Sequence, residues 1–383
     1  MFLSNNKINF STAALVLENG DIFYGKGLGY KGTTMGELCF NTSMTGYQEA
    51  ISDPSYASQI LLFTFPHIGI TGVNKIDIES DTVYLKGVVF RSVSQDFSNW
   101  RAKNNIDAWL KEKKVIGISN INTRDLTIKI RNGGAIKAAL INGVTKKLNV
   151  KKLISQLNNW EGIENTDLTR IVTCKKPYTI SNKKSSSKKN KPINIVAIDY
   201  GCKKNIFKLF NDNGFKITVV PCNSSFDEII KYEPDGIFLS NGPGDPLATS
   251  KYSKAIIKRF IDINLPIFGI CLGHQLLGIA LGAKTKKMHH GHHGVNQPVK
   301  NVSANSIEIT SQNHGFMIDE KSLPNFLKIT HTSLFDGVIQ GIEHIKLPFF
   351  SVQYHPESSP GPHDSRYLFK KFKNLIIKRK ENA

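Results

Sequence analysis

From residue 193 onward, short apolar runs alternate with amphipathic stretches and turn residues. Residues 193–198 form an apolar run that ends at Asp199-Tyr200-Gly201. The spacing then predicts a helix over 204–213, closed by Gly214 beyond its last turn. Residues 217–221 and 236–239 read as further strands, the second opening into Ser240-Asn241-Gly242-Pro243-Gly244-Asp245. A helical stretch over 256–263 and a strand over 266–270 continue the alternation. Strand–helix repetition of this kind builds a mostly parallel, doubly wound α/β sheet, whose active sites lie at the carboxyl ends of its strands. Both Gly-containing turns just named stand at such ends.

The first half has a different pattern. Residues 13–17 and 22–25 flank Glu18-Asn19-Gly20-Asp21, where Asn-Gly is a hairpin signal. Residues 83–90 resemble a strand and 106–113 an amphipathic helix. This half is expected to be α+β, without a nucleophile constellation of its own. Between the halves, 175–192 is rich in Lys, Ser and Asn and cannot bury apolar surface. At 383 residues the chain exceeds one ordinary core. The expected organisation is therefore a first domain over 1–174, a linker over 175–192 and a second domain over 193–383.

Composition changes this picture little. The net charge of +19 raises the question of nucleic acid. The Lys excess travels with Asn and Ile along the whole chain, however, and its densest cluster lies among serines without aromatics. We expect a solvated linker there and no nucleic-acid partner. No apolar run approaches the roughly 20 residues that span a bilayer. The polar start, with Ser4, Asn5, Asn6 and Lys7, lacks the apolar core of a signal peptide. No membrane association and a cytoplasmic location are the expectations. The five cysteines, Cys39, Cys174, Cys202, Cys222 and Cys271, form no C-x-x-C pair, which argues for reduced thiols.

One thiol stands apart. Gly269-Ile270-Cys271-Leu272-Gly273 follows an apolar strand and precedes a helix over 275–281. This is the nucleophile-elbow arrangement, with cysteine as nucleophile. A helix N-terminus favours the thiolate over the ordinary thiol of pKa about 8.5, and the N–H of Leu272 is placed to serve an oxyanion. Among eleven histidines the best base is His355, which ends a second apolar strand and is followed by Pro356 and Glu357. Cys271, His355 and Glu357 fit the nucleophile, base and orienter of acyl transfer. Met288-His289-His290-Gly291-His292-His293-Gly294 lacks the ligand spacing of a zinc site, so a tight polar loop and no metal are expected.

The elbow, the Ser240–Pro246 turn, Gln312-Asn313-His314-Gly315-Phe316 and His355-Pro356-Glu357 occur in this order. Together they make the second half resemble a class I (triad-type) glutamine amidotransferase. In the first half, the run from Glu37 to Glu49, Asp53-Pro54-Ser55-Tyr56, Phe65-Pro66-His67-Ile68-Gly69 and Asn122-Thr123-Arg124-Asp125-Leu126-Thr127 resemble the small subunit of carbamoyl-phosphate synthetase, as does the ending Ser359-Pro360-Gly361-Pro362-His363-Asp364. The resemblance implies that Cys271, His355 and Glu357 are catalytic. It further implies that Ser55, Gly242, Gly244, Leu272, Gln275, Asn313, Gly315 and Phe316 bind glutamine, Ser55 being contributed by the first domain. It implies a large ATP-using partner subunit, where ATP and Mg are used, and no cofactor in this subunit. The chain departs from the family at Gly294-Val295-Asn296-Gln297-Pro298. Two other readings are a stand-alone cysteine hydrolase and a non-catalytic binding or assembly subunit. The first half and the 312–316 segment count against the former, and an intact triad against the latter.

Overall fold

The computed structural model describes residues 11–144, 148–181 and 192–382. The polar start of the chain and the Lys/Ser cluster at 182–191 lie outside the described residues. The chain divides into two compact units, Met1–Glu164 and Asn165–Ala383. The division falls earlier than the expected boundary after Cys174. Part of the expected linker is a strand, Tyr178–Ile180, because Tyr, Thr and Ile favour extended pairing over solvation.

The first unit is built on a closed barrel. Its strands are β1 (Ala13–Leu17), β2 (Ile22–Gly29), β3 (Gly32–Asn41), β4 (Gln59–Phe63), β6 (Gly87–Val89), β8 (Ile116–Ser119) and β9 (Ile136–Asn142), in the order β1-β2-β8-β6-β4-β3-β9. Two short strands, β5 (His67–Ile68) and β7 (Ser92–Val93), pair separately. The expected hairpin is present, with Gly20 at φ 93°. Alternation explains why β1 is buried throughout. Ala13, Leu15 and Leu17 pack with Leu38, Ile60, Leu62 and Leu140, while Val16 packs with Leu157 on the other face. The expected strand over 83–90 is confined to β6, and the expected helix is realised as Ile106–Glu112, capped by Asn105. Barrel closure depends on pairings between distant segments, which the local pattern does not carry.

The second unit holds a ten-stranded sheet. Its parallel core runs β12 (Phe215–Pro221), β11 (Ile193–Asp199), β13 (Gly236–Leu239), β14 (Ile267–Ile270) and β19 (Phe349–Val352). Strand β10 (Tyr178–Ile180) adds antiparallel at one edge. At the other, β18 (Ile339–His344), β17 (Leu327–Ser333), β15 (Thr285–Asn301) and β16 (Ser306–Ile318) continue antiparallel.

Helices cover both faces of the parallel core, so its strands are apolar on both sides. Ile195, Ala197, Ile217, Phe238, Phe268 and Phe350 pack with Phe210 of Lys204–Asp212 and with Phe369 and Phe372 of Tyr367–Glu381. On the opposite face, Val196, Ile198, Ile237 and Ile267 pack with Ile257 and Phe260 of Pro246–Asp262 and with Leu276 of Leu272–Ala280. The helix expected over 256–263 is thus longer, starting at Pro246 with Asp245 as its cap. No helix among the described residues is long and apolar enough to cross a membrane.

Candidate active site

Strand β14 delivers Cys271 to the carboxyl end of the parallel core, and the helix Leu272–Ala280 begins at the next residue. Between them Cys271 adopts φ 53° and ψ −104°. A non-Gly residue holds such a backbone only where its surroundings over-determine it. Here the Cys271 N–H donates to Val352 O at 2.9 Å, and the Gly273 N–H donates to Ser240 O at 3.0 Å. A Cβ on Gly273 would lie 2.1 Å from Leu239 O, so only glycine lets the helix start this close to the neighbouring strand end. The same argument holds at Gly242, where a Cβ would lie 2.2 Å from Tyr200 O. The buried Cys271 thiol donates to Asn313 O at 3.5 Å. The Leu272 N–H, at the first helical position, has no acceptor within its own helix.

His355 follows β19 and is fixed to β16 by its N–H, which donates to Ser311 O at 2.8 Å. Its Nδ1 lies 2.7 Å from Glu357 Oε1. A carboxylate only accepts, so Nδ1 carries the proton and Nε2 is left to exchange one. Among the described residues, neither Nε2 nor Glu357 Oε2, both buried, has a hydrogen-bond partner. Burial by itself would push His355 down, but the charge of Glu357, with the Cys271 thiol and the Glu357 hydrogen bond adding to it, raises it to about 10. Burial would likewise push Glu357 up, yet the charges of Lys203 and His355 hold it at about 2.

Lys203 was not singled out by sequence reasoning. It is buried, with Nζ 2.9 Å from Glu357 Oε1 and donating at 2.6 Å to Ser358 O. It closes the charge balance of the site: Lys203 and Glu357 cancel, so neither is left as an uncompensated charge beside Cys271 and His355. The available signal was its position just past Asp199-Tyr200-Gly201, at the end of β11. Asp199 shapes that turn, accepting from the N–H groups of Gly201 and Cys202 at 3.0 and 2.8 Å.

The 312–316 segment lies in β16, beside the elbow. Gln275 Nε2 donates to Phe316 O at 2.8 Å and to Gln353 Oε1 at 3.0 Å, which leaves its Oε1 as the atom able to take a ligand donor. The side-chain oxygen of Asn313 lies 2.9 Å from His293 Nδ1, so Asn313 presents mainly its backbone to Cys271. Gly315 has open space where a Cβ would stand. Gly242 and Gly244 occupy the turn after β13, with Gly244 at φ 92°. Ser55 belongs to the first unit, on the single turn Pro54–Tyr56, where its N–H donates to Asp53 Oδ1 at 2.9 Å.

One expectation is corrected. Residues 288–294 are not a tight loop but part of β15, which pairs with β16 across a register shift between Lys287 and His292. The ladder with β16 outweighs the low strand preference of Gly and His. No cluster of three or more metal-ligating side chains occurs among the described residues.

Residues 196–375 match the model of the class-I glutamine amidotransferases, and 15–140 that of the carbamoyl-phosphate synthase small chain, CPSase domain. The carbamoyl phosphate synthase small chain of Bradyrhizobium diazoefficiens is 48% identical over 379 residues, covering 96% of each chain. That of Bartonella bacilliformis is 49% identical over 389 residues, covering 97% of this chain and 96% of its own. This chain belongs to the carbamoyl phosphate synthase small chain family. Within that family its two matched regions fall one in each compact unit.

Proposed function

We propose that this chain is the glutamine-hydrolysing small subunit of a carbamoyl-phosphate synthetase, with Cys271, His355 and Glu357 as its catalytic residues. Family membership supports the reaction. The observation that carries the assignment of residues is the buried Lys203–Glu357–His355 array at the same sheet edge as the strained Cys271. The Cys271 thiolate, paired with protonated His355, attacks the carboxamide carbon of glutamine. Backbone N–H groups of Gly242 and Leu272 receive the oxyanion. As the C–N bond breaks, His355 gives its Nε2 proton to the leaving nitrogen, which departs as ammonia. A γ-glutamyl thioester remains on Cys271. His355 then takes a proton from water, hydroxide attacks the thioester, and glutamate and the thiolate are released.

Gly244, Gln275, Asn313, Gly315 and Phe316 are assigned to the substrate, and Ser55 is assigned to it on the family resemblance. Ammonia passes to a large partner subunit, where it reacts with carboxyphosphate made from bicarbonate, supplying arginine and pyrimidine synthesis. This chain has no G-x-x-x-x-G-K-[ST] loop, and the ATP and Mg chemistry is assigned to that partner. The location that fits this role is the cytoplasm. Acid quenching during turnover tests the assignment: a glutamyl adduct is expected on the Cys271 peptide. Steady turnover with an adduct on another residue, or with none, would overturn it.

A further inference from the structure

Behind the glutamine-binding segment lies a buried relay that leads to the surface. Thr310, Gln312, His314 and Phe316 alternate onto one face of β16. His314 Nδ1 lies 2.9 Å from Phe316 O, the carbonyl that also receives Gln275. His314 Nε2 lies 3.0 Å from the end of the Gln312 side-chain amide, and His292 Nδ1 lies 2.9 Å from that same end. His292 Nε2 in turn lies 2.8 Å from Asp336 Oδ2, in the turn between β17 and β18. His292, Gln312 and His314 are buried, whereas the Asp336 side chain is 40% exposed.

Counting protons from Phe316 O outward assigns the histidines and the amide between them. Phe316 O only accepts, so His314 carries its proton on Nδ1. Burial holds His314 well below its ordinary range, so the ring is neutral and its Nε2 must accept. Asp336 only accepts, so His292 carries a proton on Nε2. His314 Nε2, an acceptor, faces one end of the Gln312 amide, so that end must be the NH2 group. The second proton of that group points to His292 Nδ1, which accepts it. An amide turned over keeps its shape, so this choice rests on the network alone. The opposite end, 3.1 Å from Thr310 Oγ1, is then the carbonyl. Thr310 has one hydroxyl proton to share between it and Gln297 O.

We propose that Gln312, with His292 and Asp336 behind it, is a positioning relay that locks His314 in the Nδ1–H form and so holds the Phe316 carbonyl and Gln275 at the glutamine pocket. The proposal rests on the assignment of Phe316 and Gln275 to that pocket. The relay has a second arrangement. If an oxygen faces both histidines, both must donate to it. A neutral His314 then has its proton on Nε2, and Phe316 O loses that donor.

Gln312→Glu imposes the second arrangement, because a carboxylate can only accept. In the complex with the large subunit, Gln312→Glu should raise KM for glutamine about tenfold, the loss of one hydrogen bond, with kcat and ammonia-dependent synthesis little changed. In the full-length small chain, imidazole nitrogen NMR should show His314 as Nδ1–H in the native protein and as Nε2–H in the variant. The half-exposed Asp336→Asn is the second variant, since an amide there no longer dictates the His292 tautomer. It should raise KM less, and Nε2–H of His314 should appear beside Nδ1–H. A native KM in both variants with His314 unchanged as Nδ1–H would overturn the relay. An Nε2–H His314 in the native protein would do the same. If the native complex hydrolysed no glutamine, the assigned function would fail, while the NMR result would still decide the relay.

Discussion

Lys203 Nζ lies 2.9 Å from Glu357 Oε1, with side-chain exposures of 3% and 0%. Such a pair is costly to bury and costlier to break, because either partner left alone is an uncompensated charge. Lys203→Met should therefore destabilise the fold by about 3–5 kcal/mol, as read from denaturant unfolding. It should also release Glu357 from one of the two charges that hold it ionised. Unchanged unfolding would show that this pair is not formed in solution.

Glu357 also receives the His355 Nδ1 proton, at 2.7 Å. Glu357→Gln keeps the shape but presents a neutral amide that no longer selects one tautomer of His355. Glutamine hydrolysis should fall by about 10²–10⁴-fold, while synthesis from free ammonia in the complex persists. Equal loss of both activities would indicate damage to assembly instead.

The buried ionisable groups give stability a definite pH dependence. His355, raised to about 10, contributes fully below its unfolded value of about 6.5, and this is lost as pH rises through 10. Glu357, lowered to about 2, contributes fully above its unfolded value of about 4.3, and this is lost as pH falls through 2. Buried His274, pushed down to about 3 chiefly by burial, opposes folding as pH falls from about 6.5 toward 3. The joint contribution of these groups peaks near pH 6.5. In His274→Gln the acid limb should flatten by about one proton, or roughly 1.4 kcal/mol per pH unit between 3 and 6.5. Urea unfolding across pH checks this; identical acid limbs would contradict it.

Gly273→Ala places a methyl 2.1 Å from Leu239 O. Backbone must move to admit it, so a loss of at least about 1–3 kcal/mol and a displaced Cys271 are expected. Thermal unfolding together with the rate of thiol alkylation at Cys271 measures both. Native stability with a native alkylation rate would contradict the tight elbow.

What could be read in the sequence was local. The elbow is encoded within five residues, so its strand, turn and helix were visible before any contact was known. His355 and Glu357 stand two apart at the end of another apolar run, and their pairing needed no long-range knowledge. Lys203 was missed because it meets Glu357 only when the ends of β11 and β19 are brought together by the sheet. The barrel was missed for the same reason, since closing β9 against both β1 and β3 is a non-local event. The histidine-rich segment was misread as a loop because its residues are poor strand formers, and only pairing with β16 makes them one.

The role of Cys271 is tested most directly by Cys271→Ser in the assembled complex, with carbamoyl phosphate formation measured from glutamine and from free ammonia. Glutamine-dependent synthesis should be abolished while ammonia-dependent synthesis is kept. Retention of the glutamine-dependent reaction, or loss of both in a complex that still assembles, would contradict that role.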